Sequence, residues 1–231
     1  MTQGPVTTER RGEIALVRLD RPPVNAMDFD TLYALIAGIE AANTSGASAL
    51  VLAGRPGSFS AGLDLKALPT YTPEQHRGMV TGVNRLCRVI YEAPIPTVAA
   101  MSGHAIGGGM VLALACDARL GADVPAVYSL PEVRAGVPFP AGALAVVKAE
   151  LGPTLARRMV LCDHRLSPTE ALAQGVIDAL LPAEQLLDAA LETAGRLGAM
   201  PRKAMLTAKR QLRAATLSLF DAPDPLVDEW L

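Results

Sequence analysis

The stretch Pro96-Thr-Val-Ala-Ala-Met-Ser-Gly-His-Ala-Ile-Gly-Gly-Gly-Met-Val-Leu-Ala-Leu-Ala-Cys-Asp117 decides the fold. Val98, Ala99, Ala100 and Met101 form an apolar run behind Pro94 and Pro96, which predicts a buried strand. Gly103 breaks the run, and Gly107-Gly108-Gly109 leads into Met110–Cys116, apolar on every side and long enough for about two helical turns. Glycines ahead of a buried helix suit a place where backbone N–H groups approach a ligand closely. Glycine permits the approach, and a helix N-terminus favours developing negative charge. The same residues suit a tight strand-to-helix turn packed on its neighbours, and this segment alone supports both. Two other glycine-rich functions are excluded. A P-loop ends in Gly-Lys-Ser/Thr, whereas Met110 and Val111 follow Gly109, and the spacing of Gly103 and Gly107 does not fit G-x-G-x-x-G.

A second unit precedes it. Ala49–Leu52 is an apolar strand, followed by the glycine-rich Gly54-Arg-Pro-Gly-Ser-Phe-Ser-Ala-Gly-Leu-Asp-Leu-Lys66. Pro73-Glu74 then opens a helix with Met79, Val80, Val83, Leu86, Cys87 and Ile90 on its inner face. Both units read strand, glycine-rich turn, helix. In a repeating β-turn-α arrangement two such turns lie side by side. Their N–H groups then converge on one oxygen, as an oxyanion hole requires.

Further upstream, Ile14–Leu19 is a strand ended by Arg21-Pro22-Pro23, and Asp28 is the expected N-cap of a helix burying Leu32, Leu35, Ile36 and Ile39. Downstream, Ala118–Leu120 and Ala126–Ser129 are short strand candidates, and Gly136–Pro140 is a rigid loop. Gly142–Leu151 reads as a helix ended by Gly152-Pro153. Ser167-Pro168-Thr169-Glu170 combines an N-cap, a first-turn proline and a capping-box glutamate. Val176–Leu181 is the last expected strand. From Ala183 onward the pattern is helical, divided at Gly198 and Pro201.

At 231 residues, half of them apolar, the chain can bury a sizeable core. A net charge of −2 gives no reason to expect nucleic acid or an anionic membrane as partner. Cys87, Cys116 and Cys162 are too few and too scattered for a disulfide frame, and each is expected as a core thiol in a reducing compartment. No apolar signal segment follows Met1, and no stretch has membrane-spanning character, so a cytoplasmic protein is expected. His76, His104 and His164 lack ligand spacing, and no Gly-x-Ser-x-Gly elbow is present.

Five segments in order resemble the enoyl-CoA hydratase/isomerase (crotonase) superfamily: Arg21-Pro-Pro-Val-Asn-Ala26, Phe59-Ser-Ala-Gly-Leu-Asp-Leu-Lys66, Gly103-His-Ala-Ile-Gly-Gly-Gly109 with Cys116-Asp117, Leu130-Pro-Glu132, and Ser167-Pro-Thr-Glu-Ala-Leu-Ala-Gln-Gly-Val-Ile-Asp178. The resemblance implies an α/β fold: a crotonase-like spiral of repeated ββα units over 1–195, with a C-terminal helical trimerisation region over 196–231. It implies an acyl-CoA thioester as partner, no other cofactor, and a homotrimer or dimer of trimers. The thioester oxygen would sit between the N–H groups of Leu63 and Gly108. Coenzyme A contacts carry over to Val24, Ala26, Ala61, Gly62, Asp64, Leu65 and Lys66. Lys66 would meet phosphate, or would be simply a solvated lysine after a turn. A last helix commonly covers the acyl pocket in this family. Asp228-Glu-Trp230-Leu231 falls roughly where it begins, so a short lid or one from another subunit is expected.

Hydratases of the family resemble one another in using two glutamates. The first position, three residues after the middle glycine, is Val111 here; the second is Glu132. One carboxylate beside a stabilised enolate suits proton transfer from C2 to C4 of a 3-enoyl thioester, and the chain most resembles the Δ3,Δ2-enoyl-CoA isomerase branch. An apolar pocket should then raise the Glu132 pKa toward neutrality. The alternatives are a hydratase of low activity using Glu132 alone, or a non-catalytic acyl-CoA binding protein on the same scaffold.

Overall fold

Strands buried on both faces need a layer on each side, and the chain provides these by repeating one unit of long strand, short strand and helix. The computed structural model describes residues 4–229; Trp230 and Leu231, at the expected lid, and Met1–Gln3 lie outside the described residues. β1 (Val6–Arg11) and β2 (Ile14–Leu19) form a hairpin, followed by β3 (Ala26–Met27) and α1 (Phe29–Thr44). β4 (Ala49–Ala53), β5 (Gly57–Ser60) and β6 (Gly62–Leu63) precede α2 (Pro73–Tyr91). β7 (Thr97–Met101) and β8 (Gly103–Ile106) precede α3 (Gly108–Leu114). β9 (Ala118–Ala122) and β10 (Tyr128–Ser129) lead to α4 (Glu132–Ala135), α5 (Ala141–Leu161) and α6 (Pro168–Ala173). β11 (Ala179–Leu181), α7 (Leu186–Gly198), α8 (Arg202–Leu217) and α9 (Leu226–Glu229) follow.

The long strands β2, β4, β7 and β9 stand side by side in a six-stranded sheet of order β1-β2-β4-β7-β9-β11, parallel except for β1. The short strands form a second parallel sheet, β10-β8-β5, with β3 and β6 paired beside it. Each ββα unit thus advances by one strand in both sheets, which is the expected α/β spiral. Alternation along β4 divides the core. Leu50 and Leu52 face the helices α1, α2, α3 and α5, while Ala49, Val51 and Ala53 face Leu186, Ala190 and Ala194 of α7. Among the described residues no helix is long and apolar enough to cross a membrane.

The expected caps form: Asp28 Oδ1 accepts the Thr31 N–H at 2.9 Å, and Ser167 with Glu170 makes a capping box. Three readings need correction. The glycine-rich segments around Gly57 and Gly103 are strands, not turns alone. Their glycines pair directly, and a Cβ on Gly103 would collide with the Gly57 backbone, so close approach rather than β-propensity places them. Gly152, with φ +65, breaks the helix as expected, but Pro153 starts a new turn and the helix runs on to Leu161. Cys87 and Cys116 are buried, and burial pushes both thiols up to about 12; Cys162, just past the end of α5, is exposed rather than a core thiol.

α8 is fastened by charge as well as packing. Asp117 Oδ2 accepts Lys209 Nζ at 2.8 Å and the Thr97 N–H at 2.7 Å, and Asp117 Oδ1 pairs with Arg213 at 3.1 Å. The Arg213 guanidinium also lies 3.9 Å over the Tyr91 ring.

Candidate active site

The first glycine-rich turn is held by a buried asparagine. Asn25, at φ +54, donates through Nδ2 to the carbonyls of Leu19, Ser58 and Phe59 at 2.9, 3.1 and 3.0 Å. Ser60 Oγ donates to the Asn25 carbonyl at 2.8 Å and accepts the Gly62 N–H at 3.1 Å. The Asp64 N–H donates to the Met27 carbonyl at 2.9 Å. Backbone groups alternate sides along a parallel ladder, so the Leu63 N–H between them turns away from β3.

The Leu63 nitrogen lies near the second glycine-rich segment. Gly107, at φ +55, donates to the Ser129 carbonyl at 2.9 Å, and its own carbonyl accepts from Met110 and Val111 at 2.8 and 3.1 Å. Gly108 is the first residue of α3, so its N–H is among those that helix geometry leaves without a carbonyl of their own helix. The turns touch through backbone. A Cβ on Gly62 would lie 2.7 Å from the Ile106 oxygen and 2.8 Å from the Gly108 nitrogen, and one on Gly108 would lie 3.9 Å from the Leu63 nitrogen. Gly62→Ala, at φ +79, should therefore force the turns apart and strain the backbone. We expect turnover to fall about 100-fold or more, comparable to losing one donor, with a lowered thermal midpoint; steady-state assays and melting curves check it.

Leu63 and Gly108 line a cavity of about 120 Å³ together with Ala61, Leu65, Val111, Glu132, Phe139 and Ala143. Among the described residues its one ionisable lining group is Glu132, at the start of α4. Oε2 of Glu132 is buried without a hydrogen-bond partner among the described residues, and burial raises the carboxyl from 4.5 to about 7. Gly107 makes room for it, since a Cβ there would lie 3.1 Å from Glu132 Oε1. α3 contributes Val111, 2% exposed, in place of a second carboxylate. The wall is otherwise hydrocarbon and backbone, so a buried carboxyl oxygen shares one largely apolar space with Leu63 and Gly108 of the two glycine-rich segments.

The residues expected to meet coenzyme A divide into three groups. Val24 and Leu65 are each 44% exposed, and Leu65 and Ala61 also line the cavity. Ala26 and Gly62 are paired across β3 and β6. Asp64 is already engaged, accepting Arg21 Nη1 at 2.9 Å and the Lys66 N–H at 3.2 Å, while Lys66 is exposed. Sequence reasoning missed the group behind them. Arg21 ties Asp64 to Asp28, at 2.9 and 2.8 Å, and Asn25 and Ser60 position the turn. The signal lay in Arg21-Pro-Pro-Val-Asn25, whose polar ends flank an exposed turn. Among the described residues no cluster of His, Cys, Asp and Glu is placed to hold a metal ion.

A ββα spiral with two adjoining glycine-rich turns above an apolar cavity is the crotonase architecture. The sequence model of the family described as enoyl-CoA hydratase/isomerase matches residues 9–220. The chain is 30% identical over 208 residues to the human mitochondrial enoyl-CoA delta isomerase 1, covering 89% of this chain and 69% of that one. It is 34% identical over 194 residues to the glyoxysomal fatty acid beta-oxidation multifunctional protein MFP-a of Brassica napus, covering 82% of this chain but only 27% of the relative. The crystal structure of enoyl-CoA hydratase EchA3 from Mycobacterium ulcerans superposes with a TM-score of 0.91 at 30% identity, covering 98% of this chain and 99% of the other. The chain belongs to the enoyl-CoA hydratase/isomerase family.

Proposed function

We propose that this protein is an enoyl-CoA isomerase that moves a 3-enoyl double bond of a coenzyme A thioester to the 2-position. One observation carries the reading: among the described residues Glu132 is the carboxylate on the cavity, its Oε2 buried without a hydrogen-bond partner, and Val111 occupies the place of a second. In the proposed step the Glu132 carboxylate takes a proton from C2, and the C–H electron pair moves into the thioester to give a dienolate. The N–H groups of Leu63 and Gly108 receive the oxygen's charge, each such donor typically lowering the barrier by about 2.7–4 kcal/mol. Glu132 then returns the proton to C4, leaving the double bond between C2 and C3. Protons and electrons balance without water or a cofactor, and coenzyme A arrives with the substrate. Hydration instead requires water to be activated while the α-carbon is protonated, a task suited to two groups.

Val24, Ala26, Ala61, Gly62, Leu65 and Lys66 remain the proposed coenzyme A contacts, with Asp64 also bracing the turn through Arg21. A homotrimer or dimer of trimers built on the region 196–231, and a reducing compartment such as the cytoplasm, complete the reading. The test follows conjugated-enoyl absorbance with 3-hexenoyl-CoA and, separately, crotonyl-CoA. We expect conjugation to appear from the first while the second persists. Loss of crotonyl-CoA absorbance at a comparable rate would make the protein a hydratase; binding without either reaction would make it an acyl-CoA binder.

A further inference from the structure

A polar clamp adjoins the lining of the cavity. The lining that holds Leu63, Gly108 and Glu132 also includes Val83 of α2 with Pro140 and Ala143 at the start of α5. The residues adjoining those liners are bonded to each other. Asn84 Nδ2 donates to Asp224 Oδ2 at 2.7 Å, and the Ala141 N–H donates to the same oxygen at 2.6 Å. The Gly142 N–H donates to Asn84 Oδ1 at 3.0 Å. No slack remains there: a Cβ on Gly142 would press into the Phe220 ring and lie 2.7 Å from Asn84 Oδ1. Separating α2 from α5 to admit a chain would break these three bonds and part the tightly packed Gly142 from Phe220.

We infer that this clamp makes the protein selective for short acyl chains, with about six carbons as the longest that gains from the pocket. The inference rests on the acyl-CoA reading. The cavity of about 120 Å³ sets the length. An apolar cavity of about 150 Å³ is filled by benzene, six carbons. The space between the donors and the clamp therefore holds an acyl group of four to six carbons, roughly, on the same scale. Carbons beyond that must fold back toward solvent or displace the clamp.

Isothermal titration with the saturated, unreactive butanoyl-, hexanoyl-, octanoyl- and decanoyl-CoA tests it. Affinity should rise roughly two- to fourfold per methylene up to hexanoyl and then level off or fall. In Asp224→Ala, and independently in Asn84→Ala, the rise should continue to octanoyl. Affinity that climbs unbroken to decanoyl in the unaltered protein overturns the length limit while leaving acyl-CoA binding intact. Absence of binding at every length overturns both. Hexanoyl-selective binding without turnover of 3-hexenoyl-CoA keeps the length limit and removes the isomerase.

Discussion

Glu132→Gln should lower kcat/KM for 3-hexenoyl-CoA by about 10²–10⁴-fold, the usual range for a lost acid–base group, and leave hexanoyl-CoA affinity nearly unchanged. Glutamine keeps the shape of the side chain but takes no proton. Undiminished turnover would end the single-carboxylate mechanism. The pH profile gives a second reading of the same group. The base works only when ionised, and burial holds its carboxyl at about 7. kcat/KM should therefore rise about tenfold per pH unit below that value and level off above it. Stability should move the other way. The folded-state value is raised from 4.5 to about 7, so between those limits the native chain holds a proton that the unfolded chain has released. Stability from this group is thus highest below pH 4.5 and declines toward pH 7. The whole interval corresponds to about 3 kcal/mol. Melting curves of Glu132→Gln against the unaltered protein should diverge over that window, the variant gaining with rising pH.

Asp117→Ala should cost about 3–5 kcal/mol of stability, because it leaves buried cations unpaired. Lys209 and Arg213 have side chains only 5% and 9% exposed, and the Asp117 carboxylate faces both. The Thr97 N–H and hydroxyl lose their acceptor as well. For a chain of this size such a loss lowers the thermal midpoint by roughly 10 °C or more. Denaturant titration checks it. A change below about 1 kcal/mol, the scale of an exposed ion pair, would show that α8 is held by packing alone. Turnover of the folded fraction at low temperature should stay close to normal, since Asp117 does not line the cavity.

Much of the fold was legible because local rules and burial agree along this chain. α1 and α2 bury the positions that helical spacing predicts, and Asp28 and Ser167 cap where expected. β5 (Gly-Ser-Phe-Ser) and β8 (Gly-His-Ala-Ile) were hidden because strands of four residues opened by glycine carry almost no hydrophobic period; they exist through pairing with each other. β1 was hidden for a related reason, its Thr-Thr-Glu-Arg-Arg face being solvated and its order supplied by β2. In the candidate site, Glu132, Leu63 and Gly108 were legible as motif positions. Arg21, Asn25 and Ser60 were not, because their partners lie up to 43 residues away in the chain.

The sequence by itself determined the family, the α/β class and the chemical inventory: glycines that allow backbone contact, one glutamate at 132, and valine at 111. These are properties of residue type and order, and no packing alters them. The tertiary structure decided what the inventory amounts to. It brings Gly62 against Gly108, buries Glu132 Oε2 so that the carboxyl stays protonated up to about pH 7, and joins Asn84 to Asp224, 140 residues apart, beside the pocket lining. Desolvation and cavity size arise from groups that meet only after the chain has wound through its turns, so no local pattern encodes them.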